Sequence, residues 1–70
     1  MDDDYVYLDT LAAWQVCSGD VIEYDGLHLL VNEVHEDGEE FGIDATDLDT
    51  DEPFPFTLTY DDEVDLIGYV

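Results

Sequence analysis

The chain has 70 residues, of which 21 are Asp or Glu and two are His, with no Lys or Arg, so its formal net charge is -21 at pH 7. A chain of this length forms one small domain with a core that is only just sufficient. Its hydrophobic fraction of 46% excludes the acidic disordered class, because such chains lack the apolar residues that a core needs. We therefore expect a folded domain covered with carboxylates.

The N-terminal segment MDDDYVYLDT lacks the basic and apolar regions of a secretory signal. No stretch of the chain approaches the roughly 20 apolar residues of a membrane span. An anionic bilayer would repel the domain, so we expect a cytoplasmic protein without a membrane partner. Cys17 has no second cysteine to pair with, and its apolar neighbours Trp14 and Val16 predict a small buried residue.

Turn residues divide the chain into short pieces at regular spacing, which is typical of an all-β domain. The alternating segment YVYL at 5–8 predicts the first strand. The least strand-like stretch follows, and residues Leu11 to Trp14 within it predict one short helical or 3-10 turn near 9–15. The segment VIEY at 21–24 predicts the second strand.

Asp25-Gly26 is a two-residue hairpin signal, because a type I′ turn needs positive φ at both positions. It joins the second strand to LHLLVNEVH at 27–35, where Val34 follows Val31 by three residues instead of two. A β-bulge near Asn32-Glu33 would return Val34 to the inner face.

The next strand, FGIDAT at 41–46, lies between two acidic turns at 36–40 and 47–53. Strict alternation predicts Phe41, Ile43 and Ala45 on the inner face and Asp44 on the outer face. The most negative part of the chain is therefore expected to flank a core strand.

The segment FPFTLTY at 54–60 has the cleanest alternation in the chain. Pro55 cannot donate to a ladder, so this strand is predicted at an edge of the sheet. A turn at Asp61-Asp62 leads into the last strand at 63–70. The predicted inward residues of these two strands are Phe54, Phe56, Leu58, Tyr60, Val64 and Leu66.

Five or six short antiparallel strands in 70 residues predict a single, strongly bent small barrel. The run SGDVIEYDGLHLLVNEV, the DLDT turn and the terminal DEVDLIGYV resemble the SH3-like barrels of the KOW and elongation-factor-P amino-terminal type. They also resemble short proteins of bacteriophages of actinobacteria. That resemblance implies that the protein is located in the cytoplasm of a host cell. The chain has no basic loops, so the nucleic-acid binding of many relatives of this fold is not expected.

The segment Asp47 to Asp51 begins like a calcium-binding EF-hand loop, but its sixth position is Glu52 instead of Gly and its twelfth is Leu58 instead of Glu. His28, His35 and Cys17 match no zinc spacing, and no nucleophile arrangement is present. We therefore expect no cofactor, no metal site and no enzymatic activity.

The aromatic residues have two interpretations. Trp14 and most Tyr residues are expected to be core or half-buried. Tyr5, Tyr7 and Tyr69 are close to the chain ends and are expected to be partly exposed. An aromatic ring in an acidic surface can also anchor a partner, because the charges steer the partner while the ring supplies desolvated contact.

The charge itself is the strongest functional signal. Solubility needs a net charge of only about 2–8 in a small domain, and a charge of -21 opposes folding by self-repulsion. A compact 70-residue domain spans roughly 30 Å, a length over which duplex DNA carries some 18 charges. In size and charge the chain resembles the DNA-mimic proteins of phages and mobile elements, which occupy DNA-binding clefts and are not enzymes.

The leading hypothesis is therefore a DNA-mimic inhibitor of a basic DNA-binding host protein, such as a nucleoid, polymerase, restriction or defence factor. The alternative is a phage accessory or assembly module that docks through apolar and aromatic contacts, with the acid serving solubility and steering. Adaptation of a halophile's protein to molar salt is a third interpretation. The predicted partner-binding residues are Glu36, Asp37, Glu39, Glu40, Asp44, Asp47, Asp49, Asp51, Glu52, Asp61 and Asp62.

Overall fold

The computed structural model describes residues 5–69, except for the side chain at position 69. Within that range the chain forms six strands and one 3-10 turn, which confirms the predicted all-β class. The described residues contain no helix that could span a lipid bilayer. The elements are β1 (Tyr5–Ala12), the 3-10 turn (Ala13–Gln15), β2 (Val21–Tyr24), β3 (Leu27–Asp37), β4 (Glu40–Asp47), β5 (Phe56–Thr59) and β6 (Glu63–Tyr69).

The strands form one antiparallel sheet in the order β1-β6-β2-β3-β4-β5. The last strand, β6, therefore lies between β1 and β2 and pairs with both of them. Strand β5 stands at the end of this order, which confirms the edge position predicted from Pro55. The molecule measures 40 × 24 × 18 Å, and closure of the sheet into a barrel stays a prediction.

Strand β1 is longer than the predicted segment 5–8. It continues through Ala12 because Thr10 and Leu11 pair with Asp65 and Val64 of β6, and a register shift between Tyr7 and Asp9 accommodates the extra residue. The 3-10 turn confirms the predicted turn near 9–15 but begins only at Ala13. The Ala13 N–H donates to the carbonyl of Asp62 at 2.9 Å and holds the turn against the start of β6.

The hairpin from β2 to β3 has the predicted geometry. Asp25 and Gly26 both have positive φ, 55° and 78°, as a type I′ turn requires. The predicted bulge is also present, because the register with β4 shifts between Val31 and Glu33 and leaves Asn32 as the additional residue. Beyond the bulge, Val34 returns to the inner face and lies opposite Ile43.

The core lies on the inner faces of β2 to β6 and includes Ala13 of the 3-10 turn. Phe41, Ile43 and Ala45 are all buried, as the alternation of β4 predicts. The rings of Tyr24 and Phe56 stack at 4.3 Å on its margin. The side chains with less than 2% exposure and a large volume are Ile22, Leu29, Val31, Ile43 and Leu58.

The last two strands confirm part of their predicted inward set. Leu58 and Val64 are buried, while Phe54 and Phe56 are partly buried and pack against the core. Leu66 is only half-buried, and the buried residue beside it is Ile67, which the predicted alternation did not include. The predicted last strand ran to residue 70, which lies outside the described residues.

Three burial predictions are wrong. Tyr60 is 58% exposed, because β5 ends at Thr59 and the alternation stops with it. Trp14 is 56% exposed, because Ala13 is the residue of the 3-10 turn that enters the core. Cys17 is exposed, since the buried residue of the segment after the 3-10 turn is Val16.

Candidate functional site

Strand β4 is the scaffold that separates the predicted acidic residues. It runs for eight residues from Glu40 to Asp47, and at about 3.3 Å per residue its ends lie roughly 23 Å apart. The acidic residues before β4 and the acidic loop after it are therefore at opposite ends of this strand. Asp44 lies between them, exposed on the outer face.

The hairpin-end cluster combines the end of the β3–β4 hairpin with the turn after β5, which is distant in sequence. The predicted acidic turn at 36–40 is shorter than expected, because β3 continues to Asp37 and β4 begins at Glu40. Glu40 lies opposite Thr59 in the β4–β5 ladder, and the Tyr60 N–H donates to the carbonyl of Glu39 at 2.9 Å. The turn after β5 therefore packs beside the turn that joins β3 to β4. The members of the cluster, all exposed, are Glu36, Asp37, Glu39, Glu40, Asp61 and Asp62.

A shallow open depression of about 460 Å³ lies in the hairpin-end cluster. It is lined by Glu36, Gly38, Glu39, Tyr60 and Asp61. The exposed ring of Tyr60 thus stands among three carboxylates. Trp14, also exposed, belongs to the 3-10 turn that is hydrogen-bonded to Asp62, so two exposed aromatic side chains accompany this end.

The loop-end cluster consists of the exposed carboxylates Asp49, Asp51 and Glu52. Asp47 differs from the other ten predicted residues because it is only 8% exposed. Its Oδ1 accepts the Asp49 N–H at 2.8 Å, and its carbonyl accepts the Asp51 N–H at 2.7 Å. Asp47 therefore holds the shape of the loop, while its three neighbours present charge to solvent.

The β2–β3 hairpin is hydrogen-bonded to the loop that carries the loop-end cluster. The Leu48 N–H donates to the carbonyl of His28 at 2.9 Å. The Nδ1 atom of His28 lies 3.6 Å from a carboxylate oxygen of Asp49, which is beyond hydrogen-bonding distance. Asp25, in the turn of that hairpin, lies toward this same end. It was missing from the predicted set of partner-binding residues, because Asp25-Gly26 was interpreted only as a turn signal.

A third group lies on the outer face of β3 and β4, between the two clusters. Glu33 is directly opposite Asp44, and His35 lies two residues along β3 from Glu33. The Nε2 atom of His35 is 3.2 Å from Glu33 Oε1 and 3.2 Å from Asp44 Oδ2. Sequence reasoning missed this trio, although the predicted bulge is the signal that places Glu33 and His35 on the face of Asp44.

The sheet contains pairs of carboxylates in directly opposed positions on neighbouring strands. Asp37 lies opposite Glu40 in the β3–β4 ladder, and Glu23 lies opposite Asp65 in the β2–β6 ladder. Like charges in such positions are destabilising, and the sequence offers no Lys or Arg to place between them. The surface therefore combines a fixed geometry with an uncompensated negative field.

Comparisons of the chain with protein-family models, with curated proteins and with solved structures found no match.

Proposed function

We propose that this protein is a non-enzymatic DNA mimic, which binds the DNA-binding cleft of a basic host protein and inhibits it. The observation that carries the proposal is the pair of acidic clusters that β4 holds roughly 23 Å apart, on a chain with no Lys or Arg. Because each cluster is fixed to the sheet by backbone hydrogen bonds, the carboxylates form an array and not a flexible tail.

The dimensions and charge of the domain support the comparison with DNA. Along its 40 Å axis, a duplex would carry about 24 phosphate charges. The chain has 21 acidic residues; three of them, at positions 2–4, precede the described part, which leaves 18 within it. The charge is of the same order as that of a DNA segment of equal length.

A second candidate function, an accessory or assembly module that docks through aromatic contacts, is favoured by one specific observation. Trp14 and Tyr60 are both more than half exposed at the hairpin end. Aromatic residues of this kind are frequent hot spots of protein interfaces. In that case the acid would steer the partner, while the rings would supply most of the affinity.

The decisive experiment is an affinity capture from host lysate at low salt, followed by elution with a salt gradient or with duplex DNA. A DNA mimic releases its partner to DNA, because both compete for one cleft. The captured protein is then purified and its affinity for the domain is measured between about 50 and 200 mM salt, a range over which the affinity of DNA-binding proteins for DNA falls steeply.

Three isosteric double variants locate the contact, and each removes two negative charges. They are Glu39→Gln with Asp61→Asn at the hairpin end, Asp49→Asn with Glu52→Gln at the loop end, and Asp9→Asn with Asp65→Asn, which lie on β1 and β6 outside both clusters, as the matched control. A partner that spans both ends should lose about 2- to 30-fold in affinity with each of the first two variants and little with the control.

The aromatic variants separate the two candidate functions. If Trp14→Ala or Tyr60→Ala abolishes binding while both acidic double variants leave the affinity unchanged, the docking module is correct and DNA mimicry is wrong. A partner whose affinity is insensitive to salt, or which duplex DNA does not displace, contradicts the mimic in the same way.

A further inference from the structure

The outer face of β3 and β4 brings together the side chains of Glu33, His35 and Asp44. The bulge at Asn32 sets this arrangement, because it shifts the register of β3 against β4 by one residue. Glu33 therefore lies directly opposite Asp44, on the same face of the sheet. His35 follows on the same face of β3 and lies opposite Gly42, which has no side chain to stand between the imidazole and Asp44.

Two of the three donor-atom separations fit metal ligands, although 3.2 Å is also the length of the hydrogen bond that links His35 and Asp44. Nε2 of His35 is 3.2 Å from an oxygen of each carboxylate, and the three ligand atoms all lie within 4.8 Å of one another. A metal ion about 2.0–2.1 Å from each donor, with tetrahedral or octahedral angles, needs neighbouring ligand atoms about 2.9–3.4 Å apart. The two separations from Nε2 of His35 fall inside that interval.

From this geometry we infer that Glu33, His35 and Asp44 bind one divalent transition-metal ion of the zinc type. The imidazole nitrogen selects the class, since Ca²⁺ and Mg²⁺ prefer all-oxygen sites, whereas zinc and its neighbours accept mixed nitrogen and oxygen ligands. All three side chains are more than half exposed, at 68%, 60% and 52%, so the remaining coordination positions are open to water.

Two electrostatic features favour occupancy. The net charge of -21 raises the local concentration of divalent cations at the surface. An ion at this site also lies between the opposed carboxylates of Glu33 and Asp44 and replaces their repulsion with attraction. The inference does not depend on DNA mimicry, because it needs neither the hairpin-end nor the loop-end cluster.

The test is a calorimetric titration of the metal-free protein with Zn²⁺, in a buffer that does not chelate it, and a parallel titration with Mg²⁺. We expect one equivalent of Zn²⁺ to bind well above the background of weak carboxylate association, and Mg²⁺ to show only that background. His35→Gln and Asp44→Asn should each weaken the one-equivalent step by at least about tenfold, since even loss of an outer hydrogen-bond partner to a ligand costs 10- to 100-fold.

His28→Gln is the matched control, because it removes the other imidazole of the chain and leaves the trio intact. NMR supplies a second measurement: one equivalent of Zn²⁺ should shift the ring protons of His35 and leave those of His28 in place. The inference is overturned if His35→Gln binds Zn²⁺ as tightly as the parent, or if the one-equivalent step is absent. It is also overturned if both imidazoles respond alike. Backbone spectra of the variants test whether the fold is unchanged, above all for His28→Gln, because the His28 side chain is only 29% exposed and its ring stacks on that of Tyr5.

Discussion

Replacement of Glu23 by Gln should stabilise the protein, although it removes no clash and adds no contact. Glu23 lies directly opposite Asp65 in the β2–β6 ladder, so both carboxylates project from the same face. Side chains in such pairs have their Cβ atoms about 4.5–5.5 Å apart. Two unit charges about 5.5 Å apart repel each other by about 0.75 kcal/mol in water.

The expected gain is therefore about 0.5–1 kcal/mol, in the range measured for cross-strand pairs. A domain of this size has a total stability of only about 3.5–10 kcal/mol. The gain corresponds to a rise in the melting temperature of about 2–8 °C. It should shrink in 1 M salt, where the screening length is about 3 Å.

Urea denaturation monitored by the circular dichroism of the sheet measures this gain, since urea leaves the ionic strength unchanged and the exposed Trp14 would report unfolding only weakly. The matched control is Glu63→Gln, which removes one charge from an exposed carboxylate that lies opposite Ala12. Asp65→Asn and the double variant complete the cycle, and the Asn oxygen can still accept the hydrogen bond from Thr10. If Glu23→Gln gains no more than Glu63→Gln, or if the two changes at Glu23 and Asp65 are additive, direct opposition contributes nothing and the reasoning is wrong.

The remaining predictions concern the core and the loop. Ile43→Ala, at a position only 1% exposed, should cost about 2–5 kcal/mol in a denaturant titration, while Val6→Ala at an exposed position of β1 should cost far less; equal costs would contradict the assigned core. Asp47→Ala should cost about 1–2 kcal/mol through loss of the acceptor for the Asp49 N–H and should speed hydrogen exchange at that amide. Asp47→Asn should cost less because its side-chain oxygen remains, and an Asn variant as unstable as the Ala variant would show that charge, and not the acceptor, holds the loop.

Local chemistry made much of the fold predictable. Asp25-Gly26 specifies its hairpin through backbone conformation alone, and the three-residue step from Val31 to Val34 requires a bulge in a strand with one buried face. The alternation around Ile43 likewise identifies the inner face of β4. In each case the signal lies within a few residues of the feature that it predicts.

Features that depend on pairing between distant segments were not predictable. Strand β1 continues to Ala12 only because β6 is there to pair with it. The alternation of apolar and polar residues likewise does not reveal that β5 ends before Tyr60. The division of the acidic residues into two clusters follows from the adjacency of the turns after β3 and β5. The Glu33–His35–Asp44 trio needs the exact register of β3 against β4, and a shift by one residue would turn its members to opposite faces.

The edge of β1 has a consequence for how copies of the protein behave toward one another. Val6, Tyr7 and Leu8 are exposed in succession on that strand, which stands at one end of the sheet order. An exposed apolar edge of this kind is a template for aggregation. Mutual repulsion between copies opposes that pairing at neutral pH, and protonation of the carboxylates near and below about pH 4 weakens the repulsion. We therefore expect the ionised carboxylates to keep copies of the protein from aggregating. In acid, we expect the protein to precipitate by pairing of β1 edges while its core is still folded.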